Sequence, residues 1–268
     1  MKKNTLIFAI ALITISMLIF GFNNRNVSVN TPITKTTSKP LVPEGQITDN
    51  YNFNFFPDFL YHVDTRFQAI KKDKINNAIS IHDFITLEDI KSITSYKSVS
   101  VIILKDNKQT DIRETGTSDL LTNAQIKLLQ SAGYSTNILI RADYQKKYTS
   151  TGGIYDSYAT PHFTVAPEKP ATYGNDENAL IQYLKENSRL EVSIIRQNKV
   201  QAGKLFFTVT KNGVISNVKL GTSSGHPSVD QKMMELIYKA PEKWKPAENT
   251  KGEKVDQELV FFFGTMGC

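Results

Sequence analysis

Two hydrophobic rhythms alternate between residues 203 and 263, and their order predicts a small folded unit. Leu205, Phe207 and Val209 alternate with Phe206, Thr208 and Thr210, the period of two that marks a strand. Asn212-Gly213 follows, a strong hairpin signal because both central residues of a type I′ turn need positive φ. Val214, Val218 and Leu220 form the return strand, and Val229, Met233, Leu236/Ile237 and Ala240 then recur at helical spacing. Val255, Leu259, Phe261 and Phe263 alternate with Asp256, Glu258 and Phe262 in a last strand that nothing later in the chain obviously covers. Upstream, Asn175 or Asp176 can cap a helix with Leu180, Ile181 and Leu184 on one face. The expectation for 170–264 is an α+β unit, two helices on one face of a three-stranded antiparallel sheet.

The preceding stretch, 51–165, reads as a β-rich domain. Tyr51, Phe53, Phe55, Phe56, Phe59 and Tyr61 cluster around Pro57, either as a strand laid on the domain or as a docking segment; a core role is the commoner fate. Ile79–Ile85 and Ser98–Leu104 read as strands, the second richly β-branched, and Lys105-Asp106-Asn107-Lys108 as a turn. Leu121–Leu129 reads as a short helix with Thr122 as N-cap, and Thr136–Ala142 as a further strand.

At the N-terminus, residues 1–5 carry Lys2 and Lys3, and Leu6–Phe22 is uncharged with only Thr14 and Ser16 polar. A helix over 6–22 spans about 25 Å, slightly short of a ~30 Å hydrocarbon core, and Lys2, Lys3 and Arg25 can snorkel at its ends. No A-x-A-like cleavage site follows Phe20-Gly21-Phe22, so a transmembrane anchor is expected, with a cleaved signal peptide as the alternative. The positive residues before the span keep Met1 in the cytoplasm and send the remainder to the periplasm. Residues 23–50, rich in Thr, Ser, Asn and Pro, read as a flexible tether.

Composition narrows the function classes. Hydrophobic residues at 40% and charged residues at 22% fit a globular chain. Half of the net charge of +6 sits in residues 1–50, where five basic residues face two acidic ones. The two folded regions are nearly balanced, so no nucleic-acid partner is expected. Cys268, the single cysteine, excludes an intrachain disulfide and can at most pair two chains as a homodimer.

The apparent catalytic motifs are weak. Gly221-Thr222-Ser223-Ser224-Gly225 fits G-x-S-x-G between strand and helix, but the only later histidine, His226, is too close to fold back from a separate loop. Ser216-Asn217-Val218-Lys219 fits S-x-x-K, yet on a regular strand the two side chains point to opposite faces. His62, His82, His162 and His226 lack metal-ligand spacing, and no phosphate-binding or dinucleotide loop occurs. No enzyme, cofactor or metal is expected. Trp244, the only tryptophan, is either a recognition anchor or a core plug.

Ala179-Leu180 through Tyr183-Leu184, Asn187, Gly203, Phe207-Thr208-Val209, Asn212-Gly213-Val214-Ile215, Ser224–Asp230 and Pro241-Glu242-Lys243-Trp244-Lys245-Pro246-Ala247 occur in the order of one known domain. The region resembles the C-terminal domain of the TonB family of energy transducers, whose Pro-x-Trp-x-Pro the last motif approaches. It departs by having Gly174-Asn175 and Arg189-Leu190 where the family often has Gly-Gly and Tyr-Pro, and by lacking a histidine in 6–22. Residues 67–144, with Arg141-Ala142-Asp143 on a strand, are similar in pattern to the C-terminal periplasmic domain of the gliding-motility shaft protein GldM.

The TonB resemblance implies an inner-membrane, periplasm-facing adaptor that supports transport by binding an extended peptide of an outer-membrane receptor, with an ExbB/ExbD-like motor as a further partner. An exposed edge strand offers unpaired N–H and C=O groups to such a peptide. The residues expected to bind are Gln257, Glu258, Leu259, Val260, Phe261, Phe262 and Phe263, with Asn212, Gly213, Pro241, Trp244 and Pro246 as supporting structure. The alternative is a scaffolding or protein-docking protein of the envelope without energy coupling.

Overall fold

The first described strand belongs to the sheet that also contains the last one. The structure, a computed structural model, describes residues 59–148, 152–174, 178–193, 195, 199–241 and 244–265, all within one compact unit running from Asn52. The expected n-region, anchor and tether lie outside the described residues. Among the described residues no helix is long and apolar enough to cross a membrane.

The described residues begin with β1 (Leu60–Asp64) and β2 (Gln68–Lys71), followed by α1 (Lys72–Asn76), a 3-10 turn (Ile81–Asp83) and α2 (Leu87–Ser92). The long β3 (Ile93–Lys105) and β4 (Lys108–Gly116) precede α3 (Asn123–Ser131), β5 (Asn137–Lys147), β6 (Ile154–Ala159), β7 (His162–Ala166) and β8 (Thr172–Tyr173). Then come α4 (Ala179–Asn187), α5 (Arg189–Ser193), β9 (Ala202–Val209), β10 (Ile215–Thr222) and α6 (Pro227–Tyr238). The chain closes with β11 (Trp244–Lys245), β12 (Ala247–Glu248), β13 (Lys254–Val255) and β14 (Gln257–Gly264).

The middle region forms a six-stranded mixed sheet in the order β2-β7-β5-β3-β4, with β6 pairing β5 beyond β7. Only β2 and β7 run parallel. Its main core gathers Ile75, Ile81, Val99, Val101, Leu129, Ile138 and Ile140 beneath α1, the 3-10 turn and α3. As the sequence predicts, Thr122 caps α3: its hydroxyl accepts from the Gln125 N–H at 3.2 Å, and Gln125 Oε1 accepts from the Thr122 N–H at 2.8 Å. The β3–β4 connection is the two-residue turn, with Asp106 and Asn107 at φ 49° and 64°.

Ile79–Ile85 is not the strand its alternation predicts. Ser80 and Asp83 form a capping box around the 3-10 turn, with Asp83 accepting from the Ser80 N–H at 3.1 Å. Local side-chain bonds to the backbone outcompete the weak period-two pattern.

The C-terminal unit also departs from expectation. The two-helix, three-stranded arrangement is not what forms: the sheet has four strands, β1-β14-β9-β10, all antiparallel, and three helices contribute to its core. Across the described residues the fold is β-rich, with six α-helices. The fourth strand, β1, comes from the segment assigned by sequence to the middle domain. The chain thus leaves this sheet at Asp64, builds the six-stranded sheet from Gln68 to Ala166, and returns.

The reason is apolar coverage. Phe59 and Tyr61 are each 7% exposed and join a core of Leu205, Phe207, Leu259, Phe261, Phe263, Leu180, Leu184, Val229 and Met233. Without β1, the flank of β14 would leave that cluster open to water. The Tyr61 hydroxyl lies 2.8 Å from the Ser188 hydroxyl, whose proton goes to the Leu184 carbonyl at 2.7 Å, so Tyr61 donates. Burial pushes the Tyr61 phenol up and keeps that proton in place.

Tyr61 therefore separates packing from hydrogen bonding. Tyr61→Ala should destabilise the folded unit by about 3–5 kcal/mol, as for other buried aromatic truncations. Tyr61→Phe, which loses only the bond to Ser188, should cost about 1 kcal/mol. Urea unfolding of the two variants measures the difference.

Candidate functional site

The C-terminal sheet has two unlike faces, set by the period of two along each strand. One carries the core beneath α4, α5 and α6. The other carries two cross-strand rows. In the first, Thr222, Lys204, Phe262 and His62 stand opposite one another on β10, β9, β14 and β1. In the second stand Lys219, Phe206, Val260 and Asp64.

The expected binding strand occupies the middle of this sheet. From Gln257 to Gly264, β14 pairs with β9, and from Val260 to Gly264 it also pairs with β1. The free edge that the sequence suggests at Gln257–Phe263 is therefore taken over its second half by the chain itself. Nearer its start, the Glu258 N–H donates to Ser135 Oγ at 2.8 Å, and Gln257 Oε1 accepts from the Ala171 N–H at 2.8 Å. Leu259, Phe261 and Phe263 face the core, Val260 is buried on the second face, and Phe262 is half-buried there. The pattern of Val255–Phe263 identified a strand with a buried face, but a free edge depends on pairing from a distant segment and leaves no local trace.

The supporting residues come together around Trp244. Its indole is 6% exposed, 5.4 Å edge-on from Tyr173 and 5.5 Å from Phe207, so it plugs the core and is not displayed as an anchor. The Asn212-Gly213 turn packs beside it: Gly213 has φ 73°, and a Cβ there would come within 2.3 Å of the Trp244 carbonyl oxygen. Only Gly213 has positive φ, and its N–H bonds to the Thr210 carbonyl at 2.8 Å. This is a longer hairpin connection than the type I′ turn expected. Pro246 is half-buried and Pro241 exposed.

Neither serine motif assembles a catalytic group. The Asp230 carboxylate accepts from both Ser223 and Ser224 hydroxyls and from the Ser224 N–H at 2.9 Å, so it ties down the loop before α6. The His226 ring Nε2 is buried without a partner and lies outside that network. Ser216 and Lys219 do share a face, contrary to expectation, because a bulge with Asn217 at φ 52° shifts the register between them. Lys219 nevertheless lies over the Phe206 ring, 5.7 Å from its centroid. Among the described residues no cluster of three or more His, Cys, Asp or Glu is placed to hold a metal. An open cleft of about 430 Å³ is lined in part by His82, Tyr96 and Asp119. Burial, with the nearby Asp119 and Tyr144, pushes the Tyr96 phenol up to about 12, so at neutral pH it is neither base nor nucleophile.

The feature with most chemistry is a cavity of about 300 Å³ on the second face of the C-terminal sheet. Val260, Phe206 and Phe262 line it together with Arg66 and Phe67 from the β1–β2 crossover. The β3–β4 turn contributes Asp106 and Asn107. The Arg66 guanidinium lies 4.8 Å from the Phe206 centroid, and Lys204 Nζ lies 5.7 Å from that of Phe262. The crossover is firmly held: Thr65 Oγ1 donates to the Phe67 carbonyl at 2.6 Å, and the Phe67 N–H donates to Thr164 Oγ1 at 3.0 Å. Phe67 itself packs on Ile102, Leu104 and Leu139 of the six-stranded sheet. The arrangement can hold anionic or planar groups. The sequence did contain one signal for it, since Lys204 and Phe206 share a strand face by period. Arg66 joins them only through the crossover.

Two substitutions test the packing of β10 and of the loop that follows it. A Cβ at Gly221 would lie 2.2 Å from the Phe206 ring, so Gly221→Ala should displace that ring and cost about 1–3 kcal/mol. Asp230→Ala, which leaves the buried Ser224 N–H and hydroxyl without their acceptor, should cost a similar amount, about 1–3 kcal/mol. Thermal unfolding measures both.

Against known proteins, the chain matches no family model, and neither a curated sequence nor a solved structure matches it significantly.

Proposed function

We propose that the chain is an envelope adaptor of the TonB type that receives an extended segment of an outer-membrane receptor by strand pairing on β14. The observation that carries this reading is the β1–β14 ladder. A five-residue segment, remote in sequence from the rest of its sheet, adds along Val260–Gly264 in continuous antiparallel register. The edge of β14 thus has the geometry for accepting an extended strand, and Leu60–Asp64 is its resident occupant. Exchange of that occupant for a receptor segment would preserve the backbone hydrogen bonds of the ladder. The occupant begins ten residues after the expected tether of 23–50, so a pull on the tether would load β1 before the rest of the sheet. The motif order from Ala179 to Ala247 supports the same reading.

A second reading is a docking scaffold without energy coupling. It is favoured by the depth at which Phe59 and Tyr61 are buried, which makes β1 expensive to release. On that reading partners use the outer edges of the sheet and β14 never exchanges.

A disulfide lock separates the two. His62 and Phe262 are opposite residues on β1 and β14, with ring centroids 6.1 Å apart. His62→Cys with Phe262→Cys, in a Cys268→Ser background, should bind fluorescent receptor-box peptides at least tenfold more weakly when oxidised than when reduced. Equal binding in both states would exclude exchange at β14.

A further inference from the structure

The cavity on the second face of the C-terminal sheet has a charge that the folded chain does not answer. Among the described residues, Arg66, Lys204 and Lys219 form no ion pair, and Arg66 and Lys204 are half-buried. Each sits over an aromatic ring: Arg66 and Lys219 over Phe206, Lys204 over Phe262. A ring face offsets part of the cost of removing a cation from water, but it leaves the outward N–H donors unused. Asp106 lines the same cavity from the β3–β4 turn without pairing to any of the three.

We propose that this cavity binds an extended acidic segment of a partner protein, with carboxylates at positions i and i+2 set against its cations. The spacing comes from the register. Phe206 stands opposite Val260, so Phe262 is its diagonal neighbour on the next strand. Such diagonal positions lie roughly 7–8 Å apart. Two cations gather over the first ring and one over the second, giving two separate anion positions. Side chains at i and i+2 of an extended chain point the same way and are about 7 Å apart, so both can be satisfied together. Adjacent acidic residues cannot, because they point to opposite sides.

Other occupants fit less well. A compact phosphate can meet only one of the two positions at full contact. A flat membrane surface would have to enter a concavity between the sheet face and the β3–β4 turn. The crossover on either side of Arg66 is held by the Thr65 and Phe67 bonds, so little loop order has to be gained on binding. The proposal does not require strand exchange at β14: the cavity opens on the sheet face, and Arg66 reaches it from the crossover when β1 is in place.

The test uses the full-length chain and three fluorescein-labelled pentapeptides in fluorescence anisotropy. These are Gly-Glu-Ser-Glu-Gly, its neutral counterpart Gly-Gln-Ser-Gln-Gly, and the isomer Gly-Glu-Glu-Ser-Gly. The first should bind at least tenfold more tightly than the other two, and added salt should weaken it. Lys204→Gln and the exposed Lys219→Gln should each reduce its affinity several-fold, and the double variant at least tenfold, with unfolding curves confirming that the variants remain folded. Equal binding of the isomer, unchanged affinity in the double variant of a folded protein, or displacement of the peptide by equimolar inorganic phosphate would each overturn the proposal. Preferential capture by phosphatidylserine vesicles over phosphatidylcholine vesicles, with no peptide binding, would assign the cations to a lipid surface instead and also overturn it.

Discussion

The pairing of β1 with β14 is the contact on which the rest of the architecture depends. It completes the C-terminal sheet, buries Phe59 and Tyr61 in the core under α4, α5 and α6, and fixes where the chain crosses to the second sheet. Backbone bonds set its register, while burial of the two aromatic side chains supplies most of its free energy, at about 25 cal/mol per Å² of apolar surface. Because the paired segments are some 200 residues apart, closing this ladder joins the ends of the described chain and encloses the whole six-stranded sheet between them. Such a non-local contact is costly in chain entropy and is repaid only when the core on both sides has formed.

The crossover that follows β1 ties the two sheets together and creates the cavity. Asp64, Thr65 and Phe67 make a short hydrogen-bonded link, and Phe67 then packs on Ile102, Leu104 and Leu139. Arg66, between them, is delivered over Phe206. Strand exchange at β14 and anion binding at the cavity therefore share a physical element, since the segment that closes the sheet edge also positions one of the cations. A partner that removed β1 would disturb the cavity, and a partner seated in the cavity would hold the crossover and with it β1.

Much of the local structure was legible. The Thr122–Gln125 capping box, the β-branched run of β3, the α6 spacing from Val229 to Ile237 and the alternation of β9 and β14 all follow from contacts within a few residues. Where sequence reading failed locally, a competing short-range bond explains it: Ser80 and Asp83 turned an expected strand into a 3-10 turn, and the Asn217 bulge put Ser216 and Lys219 on one face. The larger misreadings were non-local. Nothing in Leu60–Asp64 says which of two sheets it will join, so the two-helix, three-strand unit and an edge left open along Val260–Phe263 were both expected in error.

The sequence by itself determined the core of β3, β5, β9 and β14, the helices α3 and α6, and the apolar faces of β9 and β14, because those preferences reside in the spacing of neighbours along the chain. It also marked Gly213 as a turn residue, whereas the packing of that turn against Trp244 is seen only in the fold. The tertiary structure alone decided that β14 would be an inner strand and that Arg66, Lys204 and Lys219 would converge on two phenylalanine rings. Both results depend on which distant segments meet, and that is settled by the burial of Phe59 and Tyr61 against a core the local pattern does not reveal.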